Sequence, residues 1–122
     1  MATVTWPGKS GTRYTFHIYP HGTPFRDLPG VYIFCRAIDA TQWEALYVGE
    51  TQSFADRVDA NLLTHEGFQC ARAKGATHIG ALVVEGDAER VRVETDLRHG
   101  LKPSCNRQPV PAGGFARAMR TY

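Results

Sequence analysis

Apolar positions near the start of the chain fall into short runs separated by turn-forming residues. Residues 4–6 and 14–19 are rich in β-branched and aromatic side chains, and residues 7–11 between them contain Pro, Gly and Ser. Runs of this length and composition are typical of β-strands joined by a tight turn. The pattern therefore predicts an N-terminal β-hairpin.

Three further runs have strand character. Residues 30–35 and 45–48 are almost entirely apolar, and the turn between them is centred on residues 39–42. Residues 77–85 form a third run rich in β-branched residues. Short apolar runs bounded by turn signals favour buried strands, so we predict a second hairpin and one more strand in the same sheet.

Helical spacing begins after the second hairpin. Phe54, Val58 and Leu62 recur at i, i+4 and i+8, which predicts a helix with one buried face. Ser53 is a suitable N-cap for this helix because its hydroxyl can accept a hydrogen bond from a free backbone N–H. A shorter helical segment is predicted over residues 65–74, ended by the glycine that follows.

The last predicted helix covers residues 88–99 and stops at a glycine and a proline. The order of elements predicts an α+β fold: a small, mostly antiparallel β-sheet flanked by helices, with an extra N-terminal hairpin. We divide the chain into an N-terminal hairpin extension packed on the core (residues 1–27), a central domain (residues 28–107) and a basic C-terminal tail (residues 108–122).

Composition is that of an ordinary globular domain. The 122 residues are 43% hydrophobic and 21% charged, and the formal net charge is +2. The longest apolar runs are far shorter than the ~20 residues of a membrane helix, and the N-terminus lacks a signal-peptide pattern. We expect a cytoplasmic protein with no membrane partner. The charge excess comes from three arginines in residues 107–122 and is too small to indicate a nucleic-acid surface by itself.

Cysteine usage agrees with a reducing compartment. Cys35, Cys70 and Cys105 are odd in number, and no two of them form a Cys-x-x-Cys pair. We expect reduced, mostly buried thiols with no metal or redox role.

Glu94 is the first candidate for chemistry. It projects from the edge of the apolar stripe of the last predicted helix, beside Leu97. An ionised carboxylate among apolar groups is costly unless a cation or hydrogen-bond donors meet it. The partner is either an arginine one turn away, Arg90 or Arg98, or a metal ion. One carboxylate with waters and a substrate phosphate suits Mg²⁺.

Arg57 lies at the border of the stripe on the first predicted helix, and Asn61 and His65 continue its row if the helix extends that far. Such an arginine either extends its charged end to solvent or points into a cleft, where a guanidinium suits phosphate binding. Tyr32 and Tyr47 lie on the two strands of the second hairpin, at the same end of the sheet. They are either core or catalytic residues.

Two triplets on that hairpin carry a resemblance to a known family. Gly30-Val31-Tyr32 and Tyr47-Val48-Gly49 resemble the paired signature of the GIY-YIG nucleases, with valine for isoleucine in both halves. Valine preserves the strand character, and the spacing of the triplets is right for the hairpin of that family.

The resemblance extends over residues 28–107. Arg57 and Glu94 occupy the places of the arginine and the metal-binding glutamate of the family, each on a predicted helix. Residues 102–106 resemble its closing motif, in which a proline is soon followed by an asparagine, here Asn106. Five motif elements in the right order make the match specific.

The resemblance implies a metal-dependent endonuclease that hydrolyses DNA phosphodiester bonds. Tyr32 or Tyr47 would position and deprotonate the attacking water, which requires cationic neighbours that lower the phenol pKa. Arg57 would stabilise the phosphate charge, and Glu94 would hold one Mg²⁺ or Mn²⁺ ion. Asn106 would complete the catalytic set.

Four residues are secondary candidates for substrate binding: Gly49, Glu50, Asn61 and His65. Many family members have a lysine in place of Glu50 and a histidine in place of Asn61, and asparagine cannot take a proton near neutral pH. His65, one turn later, could substitute for the missing histidine. A carboxylate at position 50 disfavours phosphate unless it faces away or sits near the metal.

Two alternatives to an active nuclease stay open. The domain could be a non-cleaving or partner-dependent nucleic-acid-binding module that uses Arg117 and Arg120 of the tail, or a protein-interaction domain. Cleavage of both strands by one small site would require a homodimer, a larger assembly or two successive nicks.

Overall fold

A computed structural model describes residues 2–106, so the predicted basic tail lies outside the described residues. Its elements, in chain order, are strands β1 (Thr3–Pro7), β2 (Arg13–Pro20), β3 (Gly30–Ala37) and β4 (Trp43–Thr51), a π-helical turn (Asp56–Ala60), a 3-10 turn (Leu62–Thr64), helix α1 (Glu66–Ala73), strand β5 (His78–Val83) and helix α2 (Asp87–Leu101). Within this part of the chain, no helix is long and apolar enough to cross a membrane.

The five strands form one antiparallel sheet in the order β1-β2-β5-β3-β4. Both predicted hairpins are present: Trp6 pairs with Tyr14 in the first, and Tyr32 pairs with Gly49 in the second. Strand β2 also pairs with β5, so the N-terminal hairpin continues the sheet of the central domain. The predicted α+β class is confirmed.

Strand β3 is apolar throughout its first six residues because both of its faces are covered. Tyr32 and Phe34 pack on one face with Val58, Phe68 and other side chains from the segment between β4 and β5. The alternate residues of β3 pack on the other face against side chains of α2. A strand buried on both sides loses the alternation of apolar and polar positions, and this is why it appears as a continuous apolar run in the sequence.

The first predicted helix is not a regular helix. Its three apolar positions are buried as predicted, at 3% exposure for Phe54, 1% for Val58 and 7% for Leu62. Val58 nevertheless has non-helical torsion angles (φ −119°, ψ 15°), and a π-helical turn is followed by a separate 3-10 turn. The predicted row of Arg57, Asn61 and His65 on one helical face is therefore wrong.

Helix α2 extends beyond its predicted end. Gly100 lies in the last helical turn instead of stopping the helix, which ends at a left-handed Lys102 (φ 48°). A Cβ atom at position 100 would lie 2.6 Å from the Lys9 backbone nitrogen. The glycine is therefore explained by close contact with the first hairpin and not by a helix stop.

The prediction of three reduced thiols is wrong for two of them. Cys70 of α1 and Cys105 form a disulfide, with Cα atoms 5.8 Å apart, and Cys35 is a buried free thiol. The two bonded residues are 35 positions apart, so only the packing of α1 beside β4 brings them together. A cysteine count cannot detect such a pair.

Candidate active site

A cleft of about 700 Å³ opens beside the β4 edge of the sheet. Four predicted site residues line it: Tyr47, Arg57, His65 and Asn106. The Cys70–Cys105 disulfide and Arg98 of α2 also form part of its wall. The cleft is thus formed by five parts of the chain: β4, the irregular helical segment (residues 54–64), α1, α2 and the closing segment (residues 102–106).

The two tyrosines are stacked but differ in access to the cleft. Their ring centroids are 6.2 Å apart, with an interplanar angle of 28°. Tyr32 is 1% exposed and does not line the cleft, whereas the half-buried Tyr47 does. The sequence did not decide which of the two tyrosines can contact a water or a substrate. Of the two, Tyr47 is the one that can contact a molecule in the cleft.

Two glycines leave space for these rings. A Cβ atom at Gly49 would lie 2.5 Å from the Tyr32 hydroxyl oxygen, and one at Gly67 would lie 2.5 Å from a ring carbon of Tyr47. Gly49 was predicted as a substrate contact, and the structure supplies this steric role for it. Gly67 was not singled out in the sequence, where a lone glycine at a helix start gives no signal of a ring above it.

Burial raises the pKa of both phenols. For Tyr32 the charge of Tyr47 adds to this rise, and for Tyr47 the charge of Glu94 does. Arg57 lowers the pKa of both tyrosines, and Arg98 lowers that of Tyr47, without cancelling the effect of burial. The expected cationic neighbours are therefore present, but both phenols hold their protons at neutral pH in this structure.

Arg57 is exposed to solvent in the cleft wall. The sequence left open whether this side chain extends to solvent or points into a cleft, and Arg57 is both exposed and part of the cleft lining. An exposed guanidinium beside two tyrosines is accessible to an anion. Its planar set of N–H donors matches the geometry of a phosphate group.

Glu94 is half-buried, as its position at the edge of the apolar stripe predicted. Burial raises its pKa, the charge of Arg98 lowers it, and the charge of Glu50 raises it again. A carboxylate in this state gains from a nearby divalent cation, so the residue fits a metal ligand. Within residues 2–106 no group of three or more His, Cys, Asp or Glu side chains gathers. One carboxylate completed by waters and phosphate is an arrangement that suits Mg²⁺.

Arg90, one of the two arginines considered as a partner of Glu94, is engaged elsewhere. It is 3% exposed, and its Nε atom donates to Glu50 Oε1 at 3.1 Å. Its other nitrogens donate to the Asp87 carboxylate and to the backbone oxygens of Val84 and Glu85. The Glu50 carboxylate, predicted as a substrate contact, thus links β4 to the first turn of α2.

The two asparagines lie in different environments. Asn61 is exposed and does not line the cleft, and its Nδ2 atom donates to the Asp56 backbone oxygen and carboxylate at 2.9 and 3.0 Å. Asn106 lines the cleft and binds the edge of β4. Its Oδ1 atom accepts from the Val48 N–H at 2.8 Å, and its Nδ2 atom donates to the Val48 carbonyl at 2.8 Å. Asn106 therefore holds the closing segment against the sheet.

His65 is buried, with 1% exposure, although it was predicted as a substrate contact. Its Nδ1 atom accepts from the backbone N–H groups of Gly67 and Phe68, and its Nε2 atom lies 2.6 Å from the Tyr32 hydroxyl oxygen. Burial and the charge of Arg57 lower its pKa to about 4. The ring is therefore neutral at pH 7 and holds α1 and Tyr32 together.

These features define a known class of fold. The five-stranded antiparallel sheet with its flanking helices has the fold of the GIY-YIG endonuclease domain. Two crystal structures of the GIY-YIG N-terminal endonuclease domain of UvrC from Thermotoga maritima are similar to this chain. One holds its catalytic magnesium ion and has 22% identity and a TM-score of 0.54, over 67% of this chain and 86% of that one.

The second is a tyrosine-to-phenylalanine point mutant bound to its catalytic divalent cation. It has 22% identity and a TM-score of 0.55, over 69% of this chain and 88% of the other. No protein-family model and no curated protein matches the sequence. At this level of identity the likeness concerns the fold.

Proposed function

We propose that the chain is a metal-dependent endonuclease that hydrolyses DNA phosphodiester bonds. The observation that carries this proposal is the convergence of Tyr47, Arg57 and Asn106 on one cleft, with Glu94 electrostatically coupled to Tyr47. The similar UvrC domains are endonuclease domains with a bound divalent cation, which supports the same reaction class here.

In this proposal the cleft binds a backbone phosphate through arginine. Arg57 is exposed in the wall of the cleft, and Arg98 lines it from α2. Positive charge placed where the transition state gathers negative charge lowers the barrier to phosphoryl transfer. Arg57 would therefore contribute to the rate as well as to binding.

Tyr47 is the tyrosine proposed to orient the attacking water, because it lines the cleft and Tyr32 does not. The water must lie within hydrogen-bond reach of the phenol oxygen for its proton to be removed. Arg57 and Arg98 favour the phenolate and Glu94 opposes it. Neutralising the charge of Glu94 would therefore lower the Tyr47 pKa and increase the ionised fraction of Tyr47 near neutral pH.

Glu94 is the residue proposed to hold the metal: it does not itself line the cleft, but its charge acts on Tyr47, which does. A divalent cation bound there would add positive charge beside the phosphate and the leaving oxygen. The carboxylate would also stop opposing the ionisation of Tyr47 once a cation offsets its charge. Asn106 would keep the closing segment on β4 and so define one side of the cleft.

The test is a cleavage assay on supercoiled plasmid and on branched DNA with Mg²⁺, with Mn²⁺ and with EDTA. Glu94→Gln retains the shape of the side chain and removes the charge, so it is expected to lower cleavage at least 100-fold. Glu89→Gln is the matched control, because Glu89 is an exposed carboxylate on the same helix, paired with Arg92.

Cleavage in EDTA, or full activity in Glu94→Gln, would contradict the proposed mechanism. A folded protein that binds DNA in a salt-dependent way without cutting it would instead support the non-cleaving or partner-dependent nucleic-acid-binding module. A protein that binds no DNA at low salt would favour a protein-interaction domain.

A further inference from the structure

The protonation state of His65 follows from the helix that it caps. Its Nδ1 atom accepts hydrogen bonds from the Gly67 N–H at 3.0 Å and the Phe68 N–H at 3.3 Å. A neutral imidazole has one N–H, and a nitrogen that accepts cannot carry it. The proton of His65 is therefore on Nε2.

The direction of the next hydrogen bond is set by this tautomer. The Nε2 atom lies 2.6 Å from the Tyr32 hydroxyl oxygen, so the histidine donates and the tyrosine accepts. Tyr32 is consequently unable to give its own proton back to His65. Its hydroxyl hydrogen therefore points away from His65, and the side chain is 1% exposed.

Tyr47 lies directly beside Tyr32. The two rings stack with their centroids 6.2 Å apart, and Tyr47 lines the cleft. Gly49 keeps Tyr32 in place, because any side chain there would occupy the space of the phenol group. Contacts thus run from the N-terminus of α1 through His65 and Tyr32 to Tyr47 in the wall of the cleft.

Building on the proposed nuclease function, we propose that His65 is a positioning residue: its Nε2–H donates to Tyr32 and fixes the ring against which Tyr47 stacks in the wall of the cleft. His65 does not touch the substrate and does not accept a proton during the reaction.

The first experiment reads the tautomer directly, without any cleavage. Nitrogen-15 NMR of the imidazole groups is recorded at pH 7, and the His65 signals are identified by their loss in His65→Asn. The expected result is a protonated Nε2 and an unprotonated Nδ1. Tyr32→Phe should shift the Nε2 resonance, because it removes the acceptor. A protonated Nδ1, or an imidazolium at pH 7, would overturn the proposal.

The second experiment uses two amide variants, each of which keeps one of the two hydrogen-bonding functions of His65. The Asn side chain places its oxygen near Nδ1 and can still cap α1, but it does not reach Tyr32. The Gln side chain places its NH₂ group near Nε2 and can still donate to Tyr32. If His65 acts through Tyr32, cleavage should fall at least 10-fold in His65→Asn and stay within about 3-fold of wild type in His65→Gln.

Two further measurements separate this role from a purely structural one. In a Tyr32→Phe background, His65→Asn should cause no additional loss of cleavage, since the hydrogen bond from His65 to Tyr32 is already absent. Equal losses in both amide variants, or a further loss in that background, would count against positioning. A wild-type protein that does not cut DNA would refute the proposed nuclease function, while the NMR result would still decide the direction of the hydrogen bonds.

Discussion

Glu50 and Asn61 depart from the usual GIY-YIG pattern, and neighbouring groups engage both of them. The Glu50 carboxylate is bound by the buried Arg90, and the Asn61 amide is bound by Asp56. Arg90 pairs with both Glu50 and Asp87, and a lysine at position 50 would replace one of these carboxylates by a second positive charge beside a buried guanidinium. The negative charge of Glu50 also raises the pKa of Glu94, which links this departure to the proposed metal ligand.

At the residue scale, the low pKa of His65 predicts that acid lowers the stability of the folded protein. Its pKa is about 4 in the folded protein, and an unfolded histidine titrates near about 6.5. Between these values the unfolded chain binds a proton that the native state does not. The free energy of unfolding should therefore fall as the pH falls from about 6.5 to about 4, by at most about 3 kcal/mol from this residue.

The measurement is urea denaturation at pH 7 and pH 4.5 for the wild type and for His65→Asn. Arg57 and the neutral Tyr32 face the ring, and neither changes charge in this range. Burial lowers the pKa of His21 as well, so that residue contributes a slope of the same sign in both proteins. Equal losses of stability in the two proteins would show that His65 does not titrate as predicted.

At the scale of elements, hydrogen bonds hold the closing segment on the sheet and a disulfide joins it to α1. Asn106 bonds to both backbone groups of Val48, the Cys105 N–H donates to Leu46 O, and the disulfide joins Cys105 to α1. These bonds occupy part of the free edge of β4, which would otherwise expose unpaired backbone groups. They also place Cys70 and Asn106 in the wall of the same cleft.

Reduction of the disulfide should destabilise the domain. Cys70 and Cys105 are separated by 35 residues, and closing a loop of that length in the unfolded chain corresponds to about 3–4 kcal/mol. Dithiothreitol should lower the melting temperature of the wild type and leave that of a Cys70→Ala/Cys105→Ala double variant unchanged. A melting temperature of the wild type that does not respond to reduction would show that the two thiols are unpaired in solution.

At the scale of the whole molecule, the cleft lining carries two arginines and one glutamate, Glu66, on a body without an excess of positive charge. Residues 1–106 contain 11 Lys or Arg and 12 Asp or Glu, so the body has no general excess of positive charge. Arg57 and Arg98 are nevertheless placed together on one concave surface. A body of this composition would bind a polyanion through a local site rather than through its overall field.

DNA affinity should therefore depend on a few arginines and on salt. Arg57→Gln is expected to weaken binding and to reduce the slope of log K against log salt concentration by about 1, as for the loss of one phosphate contact. Binding is measured in EDTA, so that no cleavage occurs. Arg36→Gln is the control, because Arg36 pairs with Glu44 and does not line the cleft. Equal effects of the two variants would indicate diffuse binding.

Much of the fold could be predicted from the sequence because strand and helix patterns are local. The runs at residues 30–35 and 45–48 mark their strands by composition alone, and the stripe from Phe54 to Leu62 identifies buried positions even though the backbone there is irregular. The π-helical turn could not be predicted, since apolar spacing constrains which side chains are buried and leaves the torsion angles open. Arg57 lies in this turn, where it is exposed and lines the cleft.

The sequence by itself determined the order of the elements and the set of candidate site residues, because periodicity and motif spacing are properties of the linear chain. Only the tertiary structure decided how those residues are used. The tautomer of His65, the pairing of Glu50 with Arg90 and the Cys70–Cys105 disulfide each depend on groups that folding brings together. Tyr32 is buried whereas Tyr47 lines the cleft, although both lie on the same hairpin, because packing across the whole sheet sets access to the cleft.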